Sequence, residues 1–335
     1  MRILPVPKRI KTEADAPVRA FAPTVEANGA FAEATAAFQR YAQALCGLEV
    51  RAVADGAAIR VEEDAALAAE AYRLVIDGAG VRLFAADPAG ANHAFATLLQ
   101  LLQADAGRLM LPEAVVEDQP DAGYRGLMVD LARCWHPLSY LLSYVDMCYY
   151  YKLSVLHLHF TDDESYTLPS RLYPKLSTPG RAYTRGEIRA LVEYAHSRGV
   201  QLMPEIDVPG HCKSFQAEYG DIFGTKGVIC QHEKSIGAMK ALFAELCDMF
   251  PYSRYAPCQK APERNQCHCD PDSQFGRVRG CYDLFPFFYC AGEAFPDAVQ
   301  SLCEKRKAVS RAVKVYMAGK RCRRNIECRK KWVVL

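Results

Sequence analysis

Apolar positions recur along the chain with two different periods. In "EAYRLVID" (70–77) and "GVRLFAAD" (80–87) they alternate, as in half-buried strands. The Ala-rich stretch 31–45 and "PAGANHAFATLLQLLQAD" (88–105) follow the helical period, and Pro88 suits a helix start. Together these predict a small α+β domain over residues 1–118. "LPEAVVEDQPDAG" (111–123), with its Pro and Gly punctuation, reads as the linker that closes it. From Tyr124 the rhythm becomes strand–helix–strand. "RGLMVDLAR" (125–133), "SVLHLHF" (154–160) and the start of "VQLMPEIDVPGH" (200–211) are strand-like. Helical patterns fill 138–153, 184–199 and 235–250. The helix at 184–199 is well marked: Thr184 and Glu187 form a capping box, Ile188, Leu191, Val192 and Ala195 make the apolar stripe, and Gly199 stands at the stop.

Repeated strand–helix units imply a parallel sheet, either doubly wound or closed as a barrel. No Gly-rich phosphate loop follows the first strand, which weakens the dinucleotide-binding alternative. Polar residues gather instead at the C-terminal ends of successive strands: Arg133 after the first, Asp162 and Asp163 after the second, Glu205, Asp207 and His211 after the third. A (β/α)8 barrel keeps its active site there, so the fold class is read as α/β, a small α+β domain followed by a TIM barrel. Each residue also has a plainer reading. Arg133 could be a surface ion-pair partner, Asp162 a helix cap beside a solvated Asp163, and His211 a turn histidine after Pro209–Gly210. His157 and His159 could be core histidines bonded to backbone or to each other, His159 above all. Their convergence on one rim favours a site.

Charge and cysteine usage change the picture only at the end of the chain. The 335 residues carry a net charge of +2, which implies no bulk attraction to nucleic acid or to a membrane surface. No apolar run of membrane-spanning length occurs, and the N-terminal segment lacks a signal-like apolar core, so the sequence reads as cytoplasmic. Cys46, Cys134, Cys148, Cys212, Cys230 and Cys247 are scattered and read as free, buried thiols. The other eight of the fourteen cysteines fall in the last 80 residues, and residues 300–335 hold 12 Lys/Arg against 2 Glu. Residues 256–335 thus differ in kind from 119–255. They are read as an out-of-frame ending, a diverged replacement domain, or a zinc site around "CHC" with Cys258 and Cys281, the last on a spacing that matches no standard ligand pattern.

"YRGLMVDLAR", "KLSVLHLHFTDDES", "YPKLS", "YTRGEIRALVEYAHSRGVQLMPEIDVPGH" and "ALFAELCDMFPYSRY", in this order, resemble glycoside hydrolase family 20, the β-N-acetylhexosaminidases. The small domain, with "EAYRLVIDGAGVRLFAADPAGANHAFATLLQLL" (70–102), resembles that family's N-terminal domain, and the match as a whole covers about residues 65–255. The resemblance implies the first half of a barrel over 119–255 and exo-acting, substrate-assisted, retaining hydrolysis of terminal N-acetyl-β-D-hexosamine, without metal or organic cofactor. It implies that Arg133, Asp162 and His211 bind substrate, an N-acetylhexosamine-containing oligosaccharide or glycoconjugate, with Asp163, His157, Glu205 and Asp207 supporting them. The family's catalytic Asp-Glu pair has no counterpart after Tyr255, where no Asp-Glu dipeptide occurs. Two function classes therefore stand side by side: an exo-hexosaminidase, and a sugar-binding remnant without turnover.

Overall fold

The computed structural model describes residues 3–252, except 14, 27–28 and 230–231, together with the backbone of 256–257. The expectations for residues 258–335, the zinc reading of "CHC" included, lie outside the described residues.

The N-terminal part is built on a seven-stranded sheet in the order Arg9–Lys11, Ala114–Asp118, Tyr72–Asp77, Gly80–Ala85, Ile59–Glu63, Thr24–Glu26, Arg51–Val53. Alternation does what period two dictates: Tyr72, Leu74 and Ile76 are buried while Arg73, Val75 and Asp77 are only partly so. Two helices, Ala32–Cys46 and Pro88–Leu101, pack on each other through stacked Phe38 and Phe95, 4.6 Å between centroids. Asp87 caps the second helix by accepting from Gly90 N at 2.7 Å, with Pro88 in the first turn.

Two boundaries differ from the sequence reading. The second helix ends at Leu101, and Gln103–Asp105 is a strand paired with Arg108–Pro112. The segment read as linker holds the end of one strand and the whole of another, since Pro112 ends Arg108–Pro112 and Ala114–Asp118 lies inside the large sheet. In both places sheet partners distant in sequence override local punctuation.

The second part is parallel. Strands β1 (Gly126–Asp130), β2 (Val155–Thr161), β3 (Gln201–Ile206) and β4 (Ala256–Pro257) form one sheet in that order. Helices α1 (Leu138–Tyr150), α2 (Arg185–His196), α3 (Lys213–Phe223) and α4 (Glu233–Met249) follow the first three strands. The capping box on α2 is formed, Thr184 Oγ1 accepting from Glu187 N and the Glu187 carboxylate accepting from Thr184 N. No sequence pattern announced α3, a short helix with a break at Tyr219. Among the described residues no helix is long and apolar enough to cross a membrane.

A long connection leads from β2 to α2 over residues 162–184. Buried Glu245 of α4 pins it, accepting from Ser170 Oγ at 2.8 Å, Arg171 N at 2.7 Å and Arg185 Nη1 at 2.7 Å. Tyr166, Leu168 and Tyr183 turn into the core. The tip that carries Asp162 and Asp163 is thus held from below.

Candidate active site

Register brings the site together. In the parallel pairing Asp130, His159 and Glu205 are direct neighbours across β1, β2 and β3, and Met128, His157 and Met203 form the row beneath. Because side chains alternate, both rows lie on one face, while Leu156, Leu158 and Phe160 go to the other. The pairing slips between His159 and Thr161, a bulge at the strand end of the kind that re-aims a side chain.

On this face acidic and basic side chains alternate. Glu205 Oε2 lies 2.8 Å from His157 Nε2 and 3.0 Å from His159 Nδ1. His159 Nε2 lies 3.0 Å from Asp162 Oδ2, so this imidazole stands between two carboxylates. Asp162, 2 % exposed, also accepts from Asp163 N at 2.7 Å and has His211 Nδ1 2.9 Å from its Oδ1. Arg133 ion-pairs with the same carboxylate, and its Nη1 donates to Asp130 Oδ2 at 2.5 Å. His211 holds φ 48° after the cis Val208–Pro209 bond, a left-handed backbone that a non-glycine residue rarely adopts. Asp207 is buried, and its Oδ1 meets no hydrogen-bond partner among the described residues.

The structure places Arg133, Asp162, Asp163, Glu205, Asp207 and His211 near the ends of β1–β3, with His157 in the row beneath. His159 corrects the sequence reading. It bonds neither to backbone nor to His157, but bridges Glu205 and Asp162. Asp162 is likewise no helix cap, since no helix begins there. Arg133 sits on a turn past the end of β1, which stops at Asp130. That earlier stop exposes a residue the sequence reading missed. Asp130 accepts from both the backbone N and the guanidinium of Arg133, and so aims it. The Asp-x-x-Arg spacing was the available signal.

Charge states follow from the packing. Burial alone would lower the His159 pKa, but Glu205 and Asp162 outweigh it and lift it to about 9. Burial would raise Glu205, yet the two imidazoles hold it down at about 2. Asp162 is also held low: burial opposes this, and the Asp163 amide, His159, His211 and Arg133 prevail. His159, Asp162 and Asp207 offer ligand-type atoms within 4.8 Å of one another. Arg133 ion-pairs with Asp162, and His159 stands between Asp162 and Glu205, so positive groups already face these carboxylates.

Stability should report this pairing. His159, raised from an ordinary value of 6.5, stabilises fully below about pH 6.5 and loses its contribution as pH rises through 9. Glu205, lowered from 4.5, stabilises fully above about pH 4.5 and loses its contribution as pH falls through 2. Both are complete between about pH 4.5 and 6.5. A tenfold change in proton affinity is worth about 1.4 kcal/mol, so the His159 contribution is on the order of 3 kcal/mol. Tm should fall between pH 6.5 and 9.5 in the wild type, and fall less in His159→Gln. Parallel curves for the two proteins would show that folding does not raise the proton affinity of His159.

Known proteins share this arrangement of parts. Residues 1–119 match "Glycosyl hydrolase family 20, domain 2", and residues 123–256 match "Glycosyl hydrolase family 20, catalytic domain". A beta-hexosaminidase of Akkermansia muciniphila is 34 % identical over 220 residues, covering 57 % of this chain and 45 % of that protein. A beta-N-acetylhexosaminidase of Cellulomonas fimi is 36 % identical over 190 residues, covering 52 % and 38 %. The chain spans less than half the length of these curated relatives. Among solved structures, a family 20 exo-β-N-acetylglucosaminidase from Vibrio harveyi in complex with N-acetylglucosamine superposes with a TM-score of 0.68 at 24 % identity, covering 74 % of this chain and 45 % of that one. A Streptomyces plicatus N-acetyl-β-hexosaminidase gives 0.67 at 24 %, covering 76 % and 58 %. At these identities the likeness establishes the fold, an N-terminal domain followed by a TIM-barrel catalytic domain. Two adjacent matches to one family, spanning most of the chain, and a fold shared with its solved structures make this protein a member of glycosyl hydrolase family 20.

Proposed function

We propose that the protein acts on terminal, non-reducing N-acetyl-β-D-hexosamine residues of oligosaccharides or glycoconjugates, as an exo-acting glycoside hydrolase whose described rim holds the terminal sugar. The supporting observation is the constellation at the ends of β1–β3. Arg133 is fixed by Asp130 and Asp162 yet remains 45 % exposed, so it can still offer planar donors to ring hydroxyls. The buried Asp207 Oδ1 lacks a donor among the described residues, and a sugar hydroxyl that reached it would satisfy it.

The same packing limits the roles of these acids. A general acid for glycosidic oxygen needs a raised pKa near the working pH. Asp162 and Glu205 are held below their ordinary values by imidazoles and, for Asp162, by arginine as well. Neither can hold a proton for the leaving group near neutrality. Their part is to bind and position, which leaves proton donation and acetamido orientation to groups other than these. Residues 256–335 contain no Asp-Glu dipeptide, and this observation favours a second reading, sugar binding without turnover.

One experiment separates the readings. The full chain is assayed for release of phenol from an aryl N-acetyl-β-glucosaminide and titrated with N-acetylglucosamine by calorimetry. Turnover that Asp162→Asn abolishes supports the hydrolase. Binding without turnover supports the second reading. Neither binding nor turnover by a folded chain overturns both.

A further inference from the structure

The turn that carries Arg133 also carries a thiol array that the sugar site does not use. Cys134 is exposed, whereas Cys148 and Cys212 are buried and Cys46 and Cys247 half-buried. Its Sγ lies 3.6 Å from His136 Nε2, and His136 Nδ1 lies 2.7 Å from Tyr144 Oη on α1. A nucleophile, a base within reach, and a third group orienting the base form the arrangement by which proteins activate thiols and hydroxyls. The array is held in place. Tyr183 Oη donates to the His136 carbonyl at 2.5 Å, Trp135 stacks on Tyr183 at 5.8 Å, and Cys134 N donates to Asp130 O at 3.3 Å.

We propose that Cys134 is a base-assisted modification site that exchanges with small soluble disulfides. In the working tautomer Nδ1–H donates to Tyr144 Oη, so Nε2 presents its lone pair to the thiol. His136 takes the S–H proton, and the Cys134 sulfur attacks one sulfur of the disulfide. A new S–S bond forms as the old one breaks. The departing thiolate takes the proton back from His136 and leaves as a free thiol, so charge and protons balance and no further oxidant is needed. One consequence rests on the sugar-site reading above. The adduct adds bulk one residue from Arg133 and weakens N-acetylglucosamine binding until it is reduced.

The test uses the 335-residue chain, treated with oxidised glutathione for timed intervals, quenched with acid and mapped cysteine by cysteine by peptide mass spectrometry. Cys134 is expected to be labelled at least tenfold faster than Cys46 or Cys247. His136→Asn should slow it at least tenfold, and Tyr144→Phe several-fold by releasing the tautomer. Exposure alone would make Cys134 fast but would leave both variants unchanged. Equal rates at Cys134 and Cys46, or a wild-type rate in both folded variants, would overturn the proposal. Tyr144→Phe keeps the test open if His136→Asn does not fold. Fully labelled protein should bind N-acetylglucosamine at least tenfold more weakly, with dithiothreitol restoring it, and unchanged affinity would overturn the link to the sugar site. Failure of the reduced chain to bind the sugar would count against the sugar-site reading, while the labelling rates still decide the thiol.

Discussion

Replacing Arg133 by alanine is expected to weaken N-acetylglucosamine binding about tenfold to a hundredfold. Hydrogen bonds to a charged group are worth about 1.5–3 kcal/mol each, and 1.4 kcal/mol is a factor of ten in affinity. The guanidinium is held before any sugar arrives, with Asp130 on one side and Asp162 on the other, so little ordering is left to do at binding. Arg133→Lys should recover only part of the loss, since an ammonium keeps the charge but not the planar fork. The fold should survive the substitution. Asp162 keeps His159, His211 and the Asp163 amide when Arg133 is gone. Calorimetry on the two variants, with circular dichroism to confirm folding, checks the prediction. A change below twofold in Arg133→Ala would remove this side chain from the sugar contact.

Glu205→Leu is expected to have the largest effect on stability, about 3–5 kcal/mol, because it takes one member from a buried charged network and leaves the others uncompensated. His157 and His159 would both face an apolar side chain, and His159 would keep Asp162 alone. For a chain of this size each kcal/mol moves Tm by about 2–4 °C, so a drop on the order of 10 °C should appear in thermal unfolding. Charge neutralisation and packing can be told apart with a second variant. His159→Leu/Glu205→Leu removes both charges and fills the space, and should recover part of the loss, as buried ion pairs often do when replaced together. If the double variant instead loses the sum of the two single effects, the pair does not interact as the geometry states.

Local patterns carried much of the second part of the fold. The capping box of α2 forms with the residues that spacing implied, and its apolar stripe is buried. The strand "SVLHLHF" lies where its alternation put it. Boundaries failed where a distant partner intervened. Residues 114–118 read as linker by composition, but pair with both Arg9–Lys11 and Tyr72–Asp77. At the site, the residue types and their strand-end positions were legible, and so was their convergence. Their pairing was not.

The sequence by itself determined the alternation that sends His157 and His159 to one face, the βα rhythm that makes the sheet parallel, and the acids and arginine at or just past the ends of its strands. Those are local properties, written in periods of two and 3.6 and in caps and turns. Only the tertiary structure decided that Glu205, rather than the backbone, receives His159, that Asp130 aims Arg133, and that Asp162 carries no proton to give. Each depends on the register between strands about 30 to 50 residues apart, and on the exclusion of water that turns a short distance between charges into a shifted pKa. Neither register nor burial is a property of any one segment, so no segment could announce them.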